Sequence, residues 1–115
     1  MNLQKTYNGI WFLIHRRAIT ATNEDIDQVP AFYSNIIALM VCDVCRNDSQ
    51  KYMTDNPVNI TSQEALFQWT VTWHNHVNQK LRKTIYSFKQ ASAAWTVRQS
   101  VVIKTDFNSF RRCAC

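Results

Sequence analysis

The stretch Trp69-Thr-Val-Thr-Trp-His-Asn-His-Val-Asn-Gln-Lys-Leu-Arg-Lys83 decides how the rest of the chain is interpreted. At ~100° per residue, a helix over this stretch places His74, Val77, Asn78 and Leu81 on one side. The same face continues backwards through aromatic and apolar side chains. An ordinary core face would carry Leu, Ile and Ala, so the imidazole and the carboxamides within it require a physical reason.

Two explanations fit these polar groups. Buried amides that make no hydrogen bond are costly, so each of them needs a partner. A flavin or nucleotide ring offers donors and acceptors along one edge and would satisfy them. A buried polar network between helices would satisfy them as well, and the spacing of the residues leaves both explanations open.

The composition favours one mostly helical domain. The chain has 115 residues, enough for a single modest core. It contains one Gly and two Pro, and therefore little turn chemistry for a many-stranded sheet. Its 13 Lys and Arg against 8 acidic residues give a net charge of +5, which attracts anions. Because the basic runs are not spaced among exposed aromatics, we do not expect nucleic-acid binding.

No targeting segment is visible in the sequence. The apolar run Ile10–Ile14 is too short for the core of a signal peptide, and Ile36–Val41 is far shorter than a membrane span. We therefore expect a cytoplasmic protein without a transmembrane segment. In that compartment, cysteines more often serve chemistry than disulfide crosslinks.

The periodicity predicts five helices followed by a tail. Thr61 or Ser62 is expected to cap the fourth helix, because Thr61-x-x-Glu64 matches a capping box. Residues 99–115 show no helical period, and we expect a flexible C-terminal arm behind a domain over residues 1–98. The predicted helices cover residues 7–22, 28 or 29 to near Cys42, 43 to about 53, 62 to 83 or 84, and 87 to about 98.

The four cysteines form a C-x-x-C, Cys42-Asp-Val-Cys45, and a C-x-C, Cys113-Ala-Cys115, at the end of the chain. Zinc is one interpretation of the first pair, with histidines as further ligands. However, His74 and His76 lie ~200° apart around a helix and cannot both reach one ion, so we expect no metal site.

A redox dithiol is the other interpretation. At a helix N-terminus, amide donors and the helix dipole stabilise a thiolate in a C-x-x-C. A disulfide across a C-x-C is tight and therefore expected to be oxidising, and on a flexible end it could move between partners. A frayed tail with two idle thiols remains the alternative for the second motif.

Three separated blocks resemble the Erv/ALR family of FAD-dependent sulfhydryl oxidases, over roughly residues 3–95. Trp11-Phe-Leu-Ile-His15 resembles the W-x-x-x-H of the first helix in that family, and Cys42-Asp-Val-Cys45 resembles its C-x-x-C. The segment from His74 to Lys83 resembles H-N-x-V-N-x-x-L-x-K and is the most specific block. The run Tyr52–Pro57 and the short length are most similar to members from large DNA viruses.

The chain departs from the family pattern at three positions. Tyr7 stands where the family usually has a glycine four residues before the first tryptophan, and Val41 stands where a proline usually precedes the C-x-x-C. Ala94 replaces a basic residue that often precedes the last tryptophan. These differences bear on contacts to the cofactor's ribose and diphosphate, and they leave the cysteine chemistry in place.

The resemblance implies an all-α fold, an FAD-binding four-helix bundle with a short fifth helix and the C-terminal arm. It also implies which side chains line FAD, with Thr72 and Trp73 bordering the site and Lys83 suited to a phosphate. The implied cofactor-binding residues are Trp11, His15, Thr72, Trp73, His74, Asn75, Val77, Asn78, Leu81, Lys83 and Trp95.

The resemblance further implies a route for electrons from a substrate dithiol. The substrate reduces Cys113–Cys115, the arm reduces Cys42–Cys45, and FAD passes the electrons to O2, which gives hydrogen peroxide. In the family the second cysteine of the C-x-x-C lies against the flavin. The resemblance therefore implies that Cys45 attacks the flavin ring and that Cys42 takes part in thiol–disulfide exchange.

The implied partners are protein dithiols, with a thioredoxin-like carrier as one candidate, and a second copy of the chain. Family members commonly form homodimers through the first two helices, which makes Phe32 and Tyr33 candidate interface residues. A virus-encoded member would act in the host cytoplasm or the virion. A non-enzymatic helical interaction module or zinc-binding module remains the alternative function.

Overall fold

The computed structural model describes the backbone of residues 3–100 and the side chains of residues 7–95. Five α-helices and a short 3₁₀ turn make up this part of the chain, which contains no β-strand. The C-x-C motif at Cys113 and Cys115 lies outside it. The helices are α1 (Leu3–Ile19), α2 (Val29–Ala38), α3 (Asp43–Asp55), α4 (Gln63–Lys80) and α5 (Phe88–Ser100), with the 3₁₀ turn at Ile26–Gln28.

The apolar spacing of α1 and α4 places these two helices against each other at the centre of the core. Residues at positions 7, 11, 14 and 18 fall on one face of α1 and are all buried. Leu66, Phe67 and the two tryptophans of α4 are buried with them. The central stretch of α4 thus lies in the core against α1.

Tyr33 connects α2 to both central helices. Its hydroxyl donates to the Ile14 carbonyl oxygen at 2.7 Å, and its ring stacks on Trp69 with centroids 5.9 Å apart. The side chain is fully buried within one copy of the chain. The interpretation of Tyr33 as a dimer-interface residue is therefore wrong, whereas Phe32 beside it is half-buried.

Of the two predicted caps of α4, Ser62 is the one that the structure shows. Ser62 caps α4, because its hydroxyl accepts from the Ala65 backbone N–H at 3.0 Å. Thr61, the alternative cap, instead donates its hydroxyl to the Asn59 side-chain oxygen at 2.7 Å. The predicted capping box at Thr61 and Glu64 is therefore not formed.

The start of α5 agrees with the prediction. The Ser87 hydroxyl accepts from the Gln90 N–H, and the Gln90 side-chain oxygen accepts from the Ser87 N–H. This reciprocal pair is a capping box. Ala91 and Trp95 of α5 are buried.

The C-terminus of α4 comes three residues before Lys83. Two backbone hydrogen bonds, from Lys83 N–H to the Asn78 carbonyl and from Arg82 N–H to the Gln79 carbonyl, form a Schellman motif. Arg82 occupies the left-handed position of this motif with φ of 58°. Glycine is the usual residue there, so the sequence carries no sign of the helix end.

None of the helices in the described residues combines the length and the apolar character needed to cross a bilayer.

Candidate active site

The cysteine pair lies where α3 begins. Cys42 is the N-cap residue, and its sulfur accepts a hydrogen bond from the Cys45 backbone N–H at 3.2 Å. A hydrogen bond from the Cys45 side chain is the largest influence that lowers the pKa of the Cys42 thiol, and the Cys45 backbone N–H acts in the same direction. Both side chains are half-buried. The thiolate form of Cys42 is thus favoured by groups at the start of α3.

A cavity of about 170 Å³ opens beside this pair, between α1, α3 and α4. Cys45 lines it, as do four of the residues implied to bind a cofactor, namely Trp11, Trp73, Val77 and Leu81. The structure therefore brings one sulfur of the pair and the predicted binding residues to one site. The remaining lining residues are Tyr7, Met40, Val44, Asp48, Ser49, Tyr52, His76 and Lys80.

The imidazoles of the predicted site form a buried network behind Trp11. His74 stacks on Trp11 with ring centroids 3.9 Å apart and planes 2° apart. Its Nδ1 lies 2.8 Å from Nε2 of His15. His15 Nδ1 in turn lies 3.0 Å from the Thr70 hydroxyl, which donates to the Phe67 carbonyl oxygen at 2.6 Å. Both imidazoles are thereby held in fixed orientations.

Burial controls the protonation of this network. Removal from water, and secondly the neighbouring His74 ring, hold the pKa of His15 well below its ordinary value. His15 is thus neutral at neutral pH. Trp95 of α5 approaches the same imidazole, with ring centroids 6.0 Å apart, so the fifth helix covers this end of the network.

The two asparagines of the central stretch have different surroundings. Asn75 exchanges two hydrogen bonds with the Tyr86 backbone, donating to its carbonyl at 2.5 Å and accepting from its N–H at 3.0 Å. Asn75 therefore holds the loop between α4 and α5. Asn78 is fully buried, yet neither atom of its carboxamide has a hydrogen-bond partner among the described residues.

The other predicted residues lie apart from the cavity. Thr72 is exposed, and its hydroxyl donates to the Gln68 carbonyl at 3.0 Å. Lys83 is half-buried in the turn after α4. Cys113 and Cys115 lie outside the described residues.

Sequence reasoning missed Thr70 and eight residues that line the cavity, among them Tyr7. Thr70 precedes His74 by one helical turn, and Tyr7 precedes Trp11 by the same interval. The i, i+4 spacing that connects helical neighbours could have identified both.

In the portion of the chain that is described, no three His, Cys, Asp or Glu side chains come together to hold a metal ion. His74 lies within hydrogen-bond distance of His15.

A model of the Erv1/Alr family matches residues 8–96. The chain is 36% identical over 56 residues to a protein named FAD-linked sulfhydryl oxidase from African swine fever virus (isolate Pig/Kenya/KEN-50/1950), a match covering 49% of this chain and 47% of that protein. It is 32% identical over 77 residues to the mitochondrial FAD-linked sulfhydryl oxidase ERV1 of Saccharomyces cerevisiae, covering 64% of this chain and 41% of that protein.

The chain thus spans about half of the length of the viral relative and less of the yeast relative. Among solved structures, the FAD binding domain of Erv1 from Saccharomyces cerevisiae superposes with a TM-score of 0.70 at 27% identity, covering 77% of this chain and 89% of that domain. The helical architecture is therefore shared. By the family match over residues 8–96, the chain belongs to the Erv1/Alr family.

Proposed function

We propose that this chain is an FAD-linked sulfhydryl oxidase that forms disulfide bonds in protein substrates. The observation that carries the proposal is the cavity that Cys45 and the aromatic side chains Trp11 and Trp73 line together. A thiol-to-flavin reaction requires a cysteine beside an aromatic-lined site. The similarity to proteins named FAD-linked sulfhydryl oxidase supports the same assignment.

The residues present fit FAD. The carboxamide of Asn78 and the indole N–H of Trp73 are buried without a hydrogen-bond partner among the residues described. Such groups are costly in a protein interior, and a ring edge with both donors and acceptors would satisfy them. Together with the stacked Trp11 and His74, they would hold a planar polar cofactor. Lys83 would suit its phosphates.

The protein's own contribution to the reaction lies in its cysteines. A thiolate of the incoming dithiol attacks Cys42 Sγ, the Cys42–Cys45 disulfide breaks, and Cys45 leaves as a thiolate. The second substrate thiol then displaces Cys42, so that the substrate becomes a disulfide and the pair becomes a dithiol. The chemistry supplied by bound FAD would be two-electron transfer from this dithiol to O2, which yields hydrogen peroxide.

The surroundings of the two cysteines support a different role for each in thiol–disulfide exchange. Cys42 caps α3, with its thiol pKa lowered, whereas Cys45 lines the cavity. Leu39, Val41 and Val44 around the pair are exposed apolar side chains, available to a protein substrate. We therefore assign Cys42 to exchange and Cys45 to the cofactor side.

The remaining parts of the proposal concern residues 99–115 and the assembly. We propose that Cys113 and Cys115, on an arm that follows the domain of residues 1–98, carry electrons from protein dithiols to Cys42 and Cys45. A thioredoxin-like carrier is one candidate substrate. A homodimer through α1 and α2 is supported by Leu13, an exposed apolar side chain on α1. The cytoplasmic location stays a prediction.

An absorbance spectrum of the purified protein, before and after addition of a dithiol in air, tests the proposal. We expect a flavin band that bleaches and then recovers while dissolved oxygen is consumed. A colourless protein that takes up no FAD on reconstitution would overturn the oxidase. In that case Asn78 and the histidines would form an internal polar network, and the non-enzymatic module would be the better description.

A further inference from the structure

Tyr7 introduces a phenol hydroxyl beside the cysteine pair. It lies on α1 one turn before Trp11, is 4% exposed, and lines the same cavity as Cys45. Its hydroxyl oxygen is buried and completes no hydrogen bond of ordinary geometry within the described residues. A buried tyrosine hydroxyl normally has a partner, so one with its polar end at a redox pair requires an explanation.

Both cysteines influence the pKa of this hydroxyl. Burial is the largest influence that raises the pKa of Tyr7, followed by a hydrogen bond and charge interaction with Cys45 and then by Cys42. The phenol therefore keeps its proton at neutral pH and can act only as a donor towards a thiolate. In the reverse direction, the Tyr7 hydroxyl is one of the groups that lower the pKa of the Cys42 thiol.

We propose that the Tyr7 hydroxyl is a catalytic hydrogen-bond donor to the Cys42–Cys45 pair, stabilising the negative charge that appears on Cys45 when the disulfide opens. The inference rests on the proposed function, because it deepens the role of the same cysteines.

The step balances without any further reactant. The substrate thiolate forms a disulfide with Cys42 Sγ, the bond between the two cysteines breaks, and its electron pair remains on Cys45 Sγ as a thiolate. Tyr7 donates a hydrogen bond to that sulfur and retains its proton. Charge-assisted hydrogen bonds of this kind are about twice as strong as neutral ones, and low water access strengthens them further.

This donor changes two measurable properties of the pair. It favours thiolate over thiol, so the reduced pair reacts faster with an electrophile near neutral pH. It also favours the reduced pair over the disulfide, which makes the disulfide a stronger oxidant.

Tyr7→Phe tests the proposal, since it removes one oxygen atom and keeps the ring in its packed position. In the reduced full-length protein, the alkylation rates of Cys42 and Cys45 by iodoacetamide are followed separately by peptide mass spectrometry across pH 5–10. We expect the combined thiolate reactivity of the pair at pH 7 to fall about tenfold, the size of one charge-assisted hydrogen bond. Equilibration with glutathione is expected to show the disulfide reduced about tenfold less readily.

Tyr52→Phe is the matched control. Tyr52 lines the same cavity, and burial alone raises the pKa of its hydroxyl, with no contribution from either cysteine. We expect this variant to keep the wild-type alkylation profile.

Wild-type alkylation rates in Tyr7→Phe at every pH would overturn the donor role, whether or not the protein carries flavin. A loss of reactivity in both variants would overturn it too, because it would indicate disturbed packing of the cavity. Neither measurement uses flavin, so failure of the oxidase proposal is recognised separately, by a colourless wild-type protein.

Discussion

The 2.8 Å hydrogen bond between His74 Nδ1 and His15 Nε2 has a defined direction. The Phe67 carbonyl can only accept, so the Thr70 hydroxyl gives it its proton. The Thr70 oxygen must then accept from His15 Nδ1–H. His15 Nε2 is consequently an acceptor, and His74 Nδ1 carries the proton.

The first prediction concerns Thr70, which sets the direction of the hydrogen bond between His74 and His15. Thr70→Val removes the acceptor of a buried His15 N–H, and we expect the free energy of unfolding to fall by about 1–3 kcal/mol, measured by urea denaturation. Thr70→Ser keeps the hydroxyl and should recover most of the loss. FAD affinity should fall in the valine variant alone, since the His74 tautomer is no longer fixed.

Thr72→Val is a matched control on the same helix. Thr72 is exposed, and its hydroxyl binds only the preceding turn, so its loss should change stability by less than about 0.5 kcal/mol. Equal losses at Thr70 and Thr72 would contradict the network, as would 15N chemical shifts showing His15 protonated at Nε2.

The second prediction is a loss of stability in mild acid. His15 stays neutral in the folded protein because its pKa is lowered, whereas in the unfolded chain it takes up a proton near pH 6.5. The unfolded state thus binds more protons below that pH. The free energy of unfolding should be constant above pH 7. Below pH 7 it should fall by up to about 1.4 kcal/mol for each unit by which the pH is lowered, for this one group.

Urea midpoints between pH 7.5 and pH 5 test this dependence, above the range in which carboxylates titrate. His15→Gln removes the titrating group and should flatten the slope while lowering stability at every pH. A slope that is unchanged in His15→Gln would show that other groups are responsible.

The fold could be predicted from the sequence to the extent that periodicity and caps are local. The buried positions of α1 and the capping box at Ser87 and Gln90 depend on neighbours a few residues away. The choice between Thr61 and Ser62 as a cap was not decidable in this way, because the Thr61 hydroxyl is engaged by Asn59 in the loop. The end of α4 was missed since Arg82 stands where glycine is usual.

The third prediction follows from that arginine. A non-glycine residue in the left-handed region costs roughly 1–2 kcal/mol, and Arg82→Gly removes this cost. Glycine also increases the entropy of the unfolded chain, which offsets part of the gain. We therefore expect the free energy of unfolding to rise by about 0.5–1 kcal/mol. Lys80→Gly is the control within the helix and should lower stability by about 1 kcal/mol. Destabilisation by both substitutions would contradict the Schellman motif at this end.

The site was predictable where one helix face carries it and not where distant segments meet. Trp73, Val77 and Leu81 of the central stretch line one cavity with Cys45. The hydrogen bond between Asn75 and the Tyr86 backbone depends on the path of the loop after α4, and helical spacing does not predict that path. Thr72 is implied by the resemblance to border the site, and its side chain is exposed to solvent.

The fourth prediction separates the roles of the two cysteine pairs. Cys113→Ala combined with Cys115→Ala should lower kcat/KM for a protein dithiol several-fold more than kcat/KM for dithiothreitol, because a small thiol can reach Cys42 directly. Oxygen consumption with each substrate measures both. Equal effects on the two substrates would contradict a shuttle, and Cys42→Ser should abolish turnover of both.

The fifth prediction uses the contrast between the two asparagines of α4. Asn75→Leu removes two hydrogen bonds to the Tyr86 backbone, and we expect about 1–3 kcal/mol of lost stability whether or not flavin is bound. Asn78→Leu, which keeps the branching of the side chain, removes a buried carboxamide that no described residue satisfies. The flavin-free protein should then be equally stable or more stable, while FAD binds at least about tenfold more weakly.

Thermal unfolding of both variants, without FAD and with a fixed excess of FAD, measures this contrast, since the stabilisation by a ligand increases with the logarithm of its affinity. The FAD-induced increase in melting temperature should shrink in Asn78→Leu and persist in Asn75→Leu. If Asn78→Leu instead destabilises the flavin-free form as much as Asn75→Leu does, its carboxamide serves the protein's own packing, and the cofactor must be held by the aromatic side chains alone.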